Sequence, residues 1–350
     1  MKSKICYVTY GFLLILSLAY VFRYSDTYET MEFTYEEETK KNNNVIHSTG
    51  EKENSTKPST ENSTTKTPDE GNGTIGGENV SGNDEVTTEE PTTEEPTTEE
   101  PTTSEADNYD YYYNDGDVRI AINAVTDKEN KQKYYVADVQ LSSIKYFTSM
   151  FAYGKYSTKL RQGVTEMAEM TGAIFAVSGD YYSQRSNGCV IRNGVLYKNT
   201  KTSRDLLVMY ENGDLDIIPY GEYPDGEELI EQGVIQAYIF GPAIVEDGKA
   251  VDEVRKTSDY IEESHPRMLI GQIDTLHYLF VAVDGRRDDA VGMDIYECGE
   301  LMESLGCRVA YNLDGGGTTT MVFQGEIINV PSQGSERAIS DGIGILGGGN

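Results

Sequence analysis

Between residues 26 and 117 the chain carries too few aliphatic side chains to build a core, and this limits where folding can begin. Thr, Glu, Asn, Ser, Gly and Pro dominate, and Thr87 to Pro101 is three tandem Thr-Thr-Glu-Glu-Pro units. Ordering such a segment costs about 1–2 kcal/mol of backbone entropy per residue, with little apolar burial to offset it. The sequence therefore predicts a disordered acidic linker over residues 26–117 and one folded domain over residues 118–350. About −20 of the formal net charge of −30 falls in that linker. The domain itself is acidic and shows no basic stripe, which argues against a nucleic-acid partner.

Residues 1–25 read as a cytoplasmic stub and a transmembrane signal-anchor. Lys2 and Lys4 precede an uncharged, mostly apolar stretch from Ile5 to Phe22, and Arg23 and several acids follow. A stretch of about 18 residues is just long enough to span, and no small-x-small cleavage site stands around Ser17 to Val21. The leading lysines orient the remainder outward. The expected arrangement is a single-pass protein with an extracytoplasmic domain, or a secreted one if the segment is cleaved. Cys6 lies in the apolar span, and Cys189, Cys298 and Cys307 remain. Cys298 and Cys307 flank the end of one expected helix and could pair, with buried free thiols the favoured reading.

Turn pairs and apolar runs predict strands at Val118–Val125, Tyr134–Leu141 and Ala173–Val177, and hairpins around Asn193-Gly194 and Asn212-Gly213. A helix is expected from Thr158 to Met170, with Leu160, Val164, Met167 and Ala168 at helical spacing. Leu279–Val283, Met293–Leu305 and Arg308–Leu313 read as strand, helix and strand. A right-handed crossover of that kind makes the two strands parallel and brings their carboxyl ends to one rim. The fold class expected is α+β, a single mixed-sheet domain with packed helices.

The densest local signal is Tyr311-Asn312-Leu313-Asp314-Gly315-Gly316-Gly317-Thr318-Thr319-Thr320. An apolar strand ends in an acid, and three glycines then let backbone N–H groups approach an anion. A tight strand-to-strand turn uses the same residues, so the loop alone leaves both readings open. Asp284, in Asp284-Gly285-Arg286, ends another apolar strand in the same way. Asp180, in Ser178-Gly179-Asp180-Tyr181-Tyr182, follows a third.

Taken with His265-Pro266-Arg267, Glu300 in a helical stretch, Asn329-Val330-Pro331-Ser332 and Glu336-Arg337, this order of motifs resembles the phosphodiester glycosidase family. The resemblance is dense over residues 265–346 and looser back to 173. It implies hydrolysis of the sugar C1–O bond in a sugar-1-phosphodiester, N-acetylglucosamine-like, within an envelope glycan or exopolysaccharide. It implies Asp314, Asp284 and Asp180 as the catalytic carboxylates, with Asp314 beside the anomeric centre as nucleophile or base. Arg267 and Arg286 then hold phosphate, since guanidinium offers two parallel donors. Asn312, Gly315, Gly316, Gly317, Thr318 and Thr319 become ligand or carboxylate-positioning contacts, Tyr182 a sugar-stacking ring, Glu300 an orienting acid and Glu336-Arg337 a structural pair. Ser178 and Met268 stand where the family commonly has Asn and Thr, a departure that touches substrate preference. No cofactor is required on this reading. A calcium or magnesium ion held by the three aspartates would instead suit a phosphodiesterase attacking phosphorus, and a non-catalytic binder of phosphorylated glycans is the third reading. Oligomeric state is not encoded in any of these features.

Overall fold

The computed structural model describes residues 105–349, apart from residue 223 and residues 256–260. The expected anchor and residues 26–104 of the expected linker lie outside the described residues. Among the described residues no helix is long and apolar enough to cross a membrane.

In chain order the strands begin with β1 (Tyr111–Asn114), β2 (Val118–Asp127), β3 (Gln132–Leu141) and β4 (Phe147–Phe151), followed by helix α1 (Val164–Thr171). Next come β5 (Ala173–Ser178), β6 (Gly188–Arg192), β7 (Val195–Thr200), β8 (Leu206–Tyr210), β9 (Leu215–Ile218) and α2 (Gly226–Glu231). Then β10 (Val234–Tyr238), β11 (Ala243–Glu246), β12 (Lys249–Ala250), β13 (Arg267–Asp274), β14 (His277–Val283) and α3 (Ile295–Ser304) follow. The chain closes with β15 (Val309–Leu313), β16 (Met321–Phe323), β17 (Glu326–Ile327) and β18 (Asp341–Leu346).

Three sheets result. The largest has eight strands in the order β1-β2-β3-β14-β13-β15-β11-β12. Two five-stranded sheets run β7-β6-β10-β8-β9 and β17-β16-β5-β18-β4. Alternation along β13 shows how the large sheet is buried on both sides. Met268 and Ile270 join a core shared with Phe175, Val177, Leu207, Met209, Ile343 and Ile345 of the smaller sheets. Leu269, between them, faces Ile295, Cys298 and Met302 of α3 instead. A strand covered on both faces reads as a continuous apolar run, which is why Tyr278–Val283 shows no alternation in sequence.

The expected crossover is present with one strand inserted. β13 pairs antiparallel with both β14 and β15, so those two run parallel to each other on either side of it. Helix α3 connects them, starting at a capping box: Asp294 Oδ1 accepts from Glu297 N at 2.8 Å, and Glu297 Oε2 accepts from Asp294 N at 2.8 Å. Asp294→Ala is expected to cost about 1 kcal/mol, read as a lowered urea midpoint with unchanged slope.

Three expectations need correction. Residues 105–117 are not linker: β1 pairs with β2, and Asp115 accepts from the Val118 amide at 2.8 Å. The aromatic run Tyr111-Tyr112-Tyr113 supplies the apolar area that the acidic composition had hidden. Helix α1 starts at Val164, not Thr158, because Ser157 Oγ caps a turn at Lys159 and Leu160 and Gln162 is engaged in a bridge with Ile339. β13 and β4 were not foreseen as strands. Cys189, Cys298 and Cys307 are free and buried.

Candidate active site

Because β13 runs opposite to its neighbours, its first residue, Arg267, lies at the rim where β14 and β15 end. Arg267 pairs in register with Val283, and Met268 with Leu313. The segment His265-Pro266 therefore lies against the loop that begins at Asp314. Gly316 N donates to Pro266 O at 2.7 Å. A Cβ on Gly315 would stand 2.9 Å from that same oxygen, so no larger residue fits there. Gly316 takes φ +66°, which glycine adopts without the usual steric cost. The loop is held from behind by Ser178, whose Oγ donates to Asp314 O at 3.2 Å, and by the Asp314 amide, which donates to Gly179 O at 3.0 Å.

These loops line a cavity of about 590 Å³ together with Phe240, Gly241 and Pro242 of the turn between β10 and β11. Five arginines face it: Arg185, Arg204, Arg267, Arg286 and Arg337. Its one carboxyl group belongs to Asp314, and His265 and Asn312 complete the polar wall. Such a surplus of cations is unexpected in a chain of formal net charge −30. None of Arg185, Arg204, Arg286 and Arg337 forms an ion pair among the described residues. Arg286 sits at φ 61°, outside the region favoured by L-residues, and its guanidinium lies over Gly316. The Arg337 guanidinium lies over Gly317.

Burial pushes the Asp314 carboxyl up to about 8, with Asp180 and Asp341 adding to the rise while Thr318 and Arg185 oppose it. It is therefore protonated at neutral pH. His265 moves the other way: burial, then Arg286 and Arg267, hold its imidazole below the usual value and so neutral. The site thus pairs a carboxyl that keeps its proton with an imidazole that lacks one.

The other two aspartates are committed elsewhere. Asp180 is 1% exposed and accepts from Ile239 N at 2.9 Å, Tyr181 N at 2.7 Å and Arg192 Nη2 at 3.2 Å. Arg192 also donates to Asp341 Oδ2 from Nη2 at 2.8 Å and Nε at 3.0 Å, and its guanidinium lies 4.1 Å from the Tyr238 ring centroid. Asp284 accepts from Val330 N at 3.0 Å, Asn329 Nδ2 at 3.3 Å and Arg287 Nη1 at 3.2 Å, tying its loop to Asn329-Val330. Among the described residues no three His, Cys, Asp or Glu side chains gather as a metal-holding group, so Asp180, Asp284 and Asp314 do not converge.

Several expected contacts fall outside the cavity. Tyr182 is wholly buried in a cluster with Phe151 and Tyr156, leaving no ring face for a sugar. Its neighbour Tyr181 does line the cavity, packed edge-on to Phe240. Glu300 is exposed on α3 and does not reach the wall. Thr318 Oγ1 donates to Gly315 O at 2.7 Å, and Thr319 presents only its carbonyl, to Asn329 Nδ2 at 3.2 Å. Glu336 and Arg337 do not pair: Glu336 Oε2 accepts from Thr165 N at 3.3 Å while Arg337 turns to the cavity. Arg185, Arg204, Arg192 and Asp341 carried no motif that could single them out.

A family model for phosphodiester glycosidases matches residues 171–346, a range that contains every residue of this cavity. The chain belongs to the phosphodiester glycosidase family. Among solved structures, it is similar to the catalytic domain of zebrafish N-acetylglucosamine-1-phosphodiester alpha-N-acetylglucosaminidase, auto-inhibited by its pro-peptide. That similarity has a TM-score of 0.54 at 18% identity and covers 66% of this chain and 83% of the other. It shows the shared family fold of mixed sheets with few helices. An uncharacterized SPbeta prophage-derived protein of Bacillus subtilis, YomE, is 32% identical over 198 residues. The match takes in 54% of this chain and 30% of that relative's length.

Proposed function

We propose that the protein is a hydrolase that breaks the C1–O bond of a sugar-1-phosphodiester. The observation that carries this is one cavity lined by five arginines and a single carboxyl group, which burial pushes toward its protonated form. Arg286 and Arg337, beside the Gly316-Gly317 backbone, receive the phosphate. Asp314 gives its proton to the bridging oxygen as the C1–O bond breaks, so the phosphate leaves as a monoester. His265, neutral, takes a proton from the water whose oxygen bonds to C1. This moves Asp314 from the nucleophile or base of the sequence reading to the acid, because burial holds it protonated. Asp284 acts through the loop it ties down, and Asp180 through Arg192. Asn312, 1% exposed with Oδ1 unbonded among the described residues, is a candidate for a substrate hydroxyl.

The proposed substrate is a phosphorylated glycan of a cell envelope or exopolysaccharide, met outside the membrane to which Ile5–Phe22 would anchor the chain. No metal takes part in the proposed step. The test is hydrolysis of an N-acetylglucosamine-1-phosphodiester in oxygen-18 water, with and without chelator. Label in the released sugar at an unchanged rate in chelator is the expected result. Label in the phosphate means attack at phosphorus and removes Asp314 from its assigned place.

A further inference from the structure

The arginines of the cavity form two groups. Arg286 and Arg337 stand over consecutive glycines of the Asp314 loop. Arg185 and Arg204 stand on the wall formed by Tyr181 and Phe240. Arg204 Nη1 donates to Phe240 O at 2.5 Å. The Arg185 guanidinium lies 5.6 Å from the Tyr181 ring centroid and 5.4 Å from that of Phe240. Those two rings meet edge to face with centroids 6.1 Å apart, so they form a fixed bracket for the charge. Arg185 Nε is buried and has no hydrogen-bond partner among the described residues. Burial, and next the charge of Arg185, lower Arg204 to about 10.

Two guanidinium groups brought against the same Phe240, neither ion-paired among the described residues, cost free energy unless an anion joins them. A single phosphodiester carries one negative charge, and Arg286 with Arg337 already meets it. We propose that Arg185 and Arg204 form a second anion subsite, which takes the next phosphate along the substrate. Resting on the hydrolase reading, this makes the preferred substrate a chain of sugar-phosphate units with charges on successive linkages rather than an isolated diester. The aromatic bracket fixes Arg185 in advance, so little side-chain entropy is lost when the second phosphate binds.

The experiment measures binding by calorimetry on the full chain with two uncleavable probes, so that it does not depend on turnover. The first is an N-acetylglucosamine C1-methylene phosphonate methyl ester, with one charge. The second is the same phosphonate joined through glycerol to a methyl phosphodiester, with two. The two-charge probe is expected to bind at least about tenfold more tightly at low salt. Arg185→Gln and Arg204→Gln should each cut that ratio to below about threefold. Arg286→Gln should weaken both probes in parallel and leave the ratio standing. Equal binding of the two probes by the native protein overturns the proposal. So does a ratio that Arg185→Gln and Arg204→Gln, both folded by circular dichroism, leave unchanged. Failure of the native protein to hydrolyse the oxygen-bridged diester, with the binding ratio intact, would instead remove the hydrolase reading and keep the subsite.

Discussion

Asparagine at position 314 lowers kcat by about 10²–10⁴-fold while the domain stays folded. The amide matches the carboxyl in shape but has no acidic proton to give to the leaving oxygen. The native enzyme should lose activity above about pH 8 as Asp314 deprotonates, and at low pH as His265 becomes charged. In Asp314→Asn the alkaline limb disappears from whatever activity remains. Stability responds to the substitution in the opposite sense to activity. Asp314 is raised in the fold to about 8, from the 3.8 of an ordinary aspartate, so folding is fully favoured at low pH and loses ground as pH rises through that window. The asparagine variant lacks this loss and should gain on the order of a few kcal/mol at pH 8 or above. Denaturation curves at pH 5 and pH 8.5, alongside pH–rate profiles, check both halves. Wild-type turnover in the variant would end the assignment.

Arg192→Leu should destabilise the domain by about 3–5 kcal/mol at pH 8. Arg192 is the largest fully buried side chain among the described residues, and it stands between Asp180 and Asp341, whose carboxylates are likewise out of water. Removing it leaves two like charges facing each other in the interior. Burial, and next Asp180, already raise Asp341 above the ordinary carboxylate value, with Arg192 holding it back. Without Arg192 the cheapest response is protonation, so the damage should shrink as pH falls toward 5. Thermal midpoints across that range decide it. A loss of the same size at pH 5 and pH 8 would show that lost packing, rather than charge, dominates.

The sequence was most readable where local chemistry and tertiary need coincide. Asn193-Gly194 and Asn212-Gly213 turn where expected because those residues accept the backbone conformation of a tight hairpin. Asp314 to Gly317 was legible because a loop pressed against Pro266 admits only glycine at position 315. Arg185, Arg204 and Arg192 were not legible, since an arginine beside a strand has the same local signature on a surface as in a cavity. Tyr181 and Tyr182 illustrate the limit most sharply. They are identical neighbours, and only the packing of Phe151 and Tyr156 decides which is interior. Asp180 and Asp284 ended apolar strands as Asp314 does, yet Asp180 is tied to Arg192 and the Ile239 amide, and Asp284 to Asn329 and the Val330 amide, from segments that no spacing reveals.

The pairing of β3 with β14 and of β4 with β18 separates two kinds of boundary. The family model's match begins at residue 171, but both of those earlier strands precede it. A chain cut at that point would keep all the cavity residues and expose two open rows of backbone donors and acceptors. Such edges invite other chains to add on. The portion that the family model matches is therefore smaller than the portion needed to close these sheets.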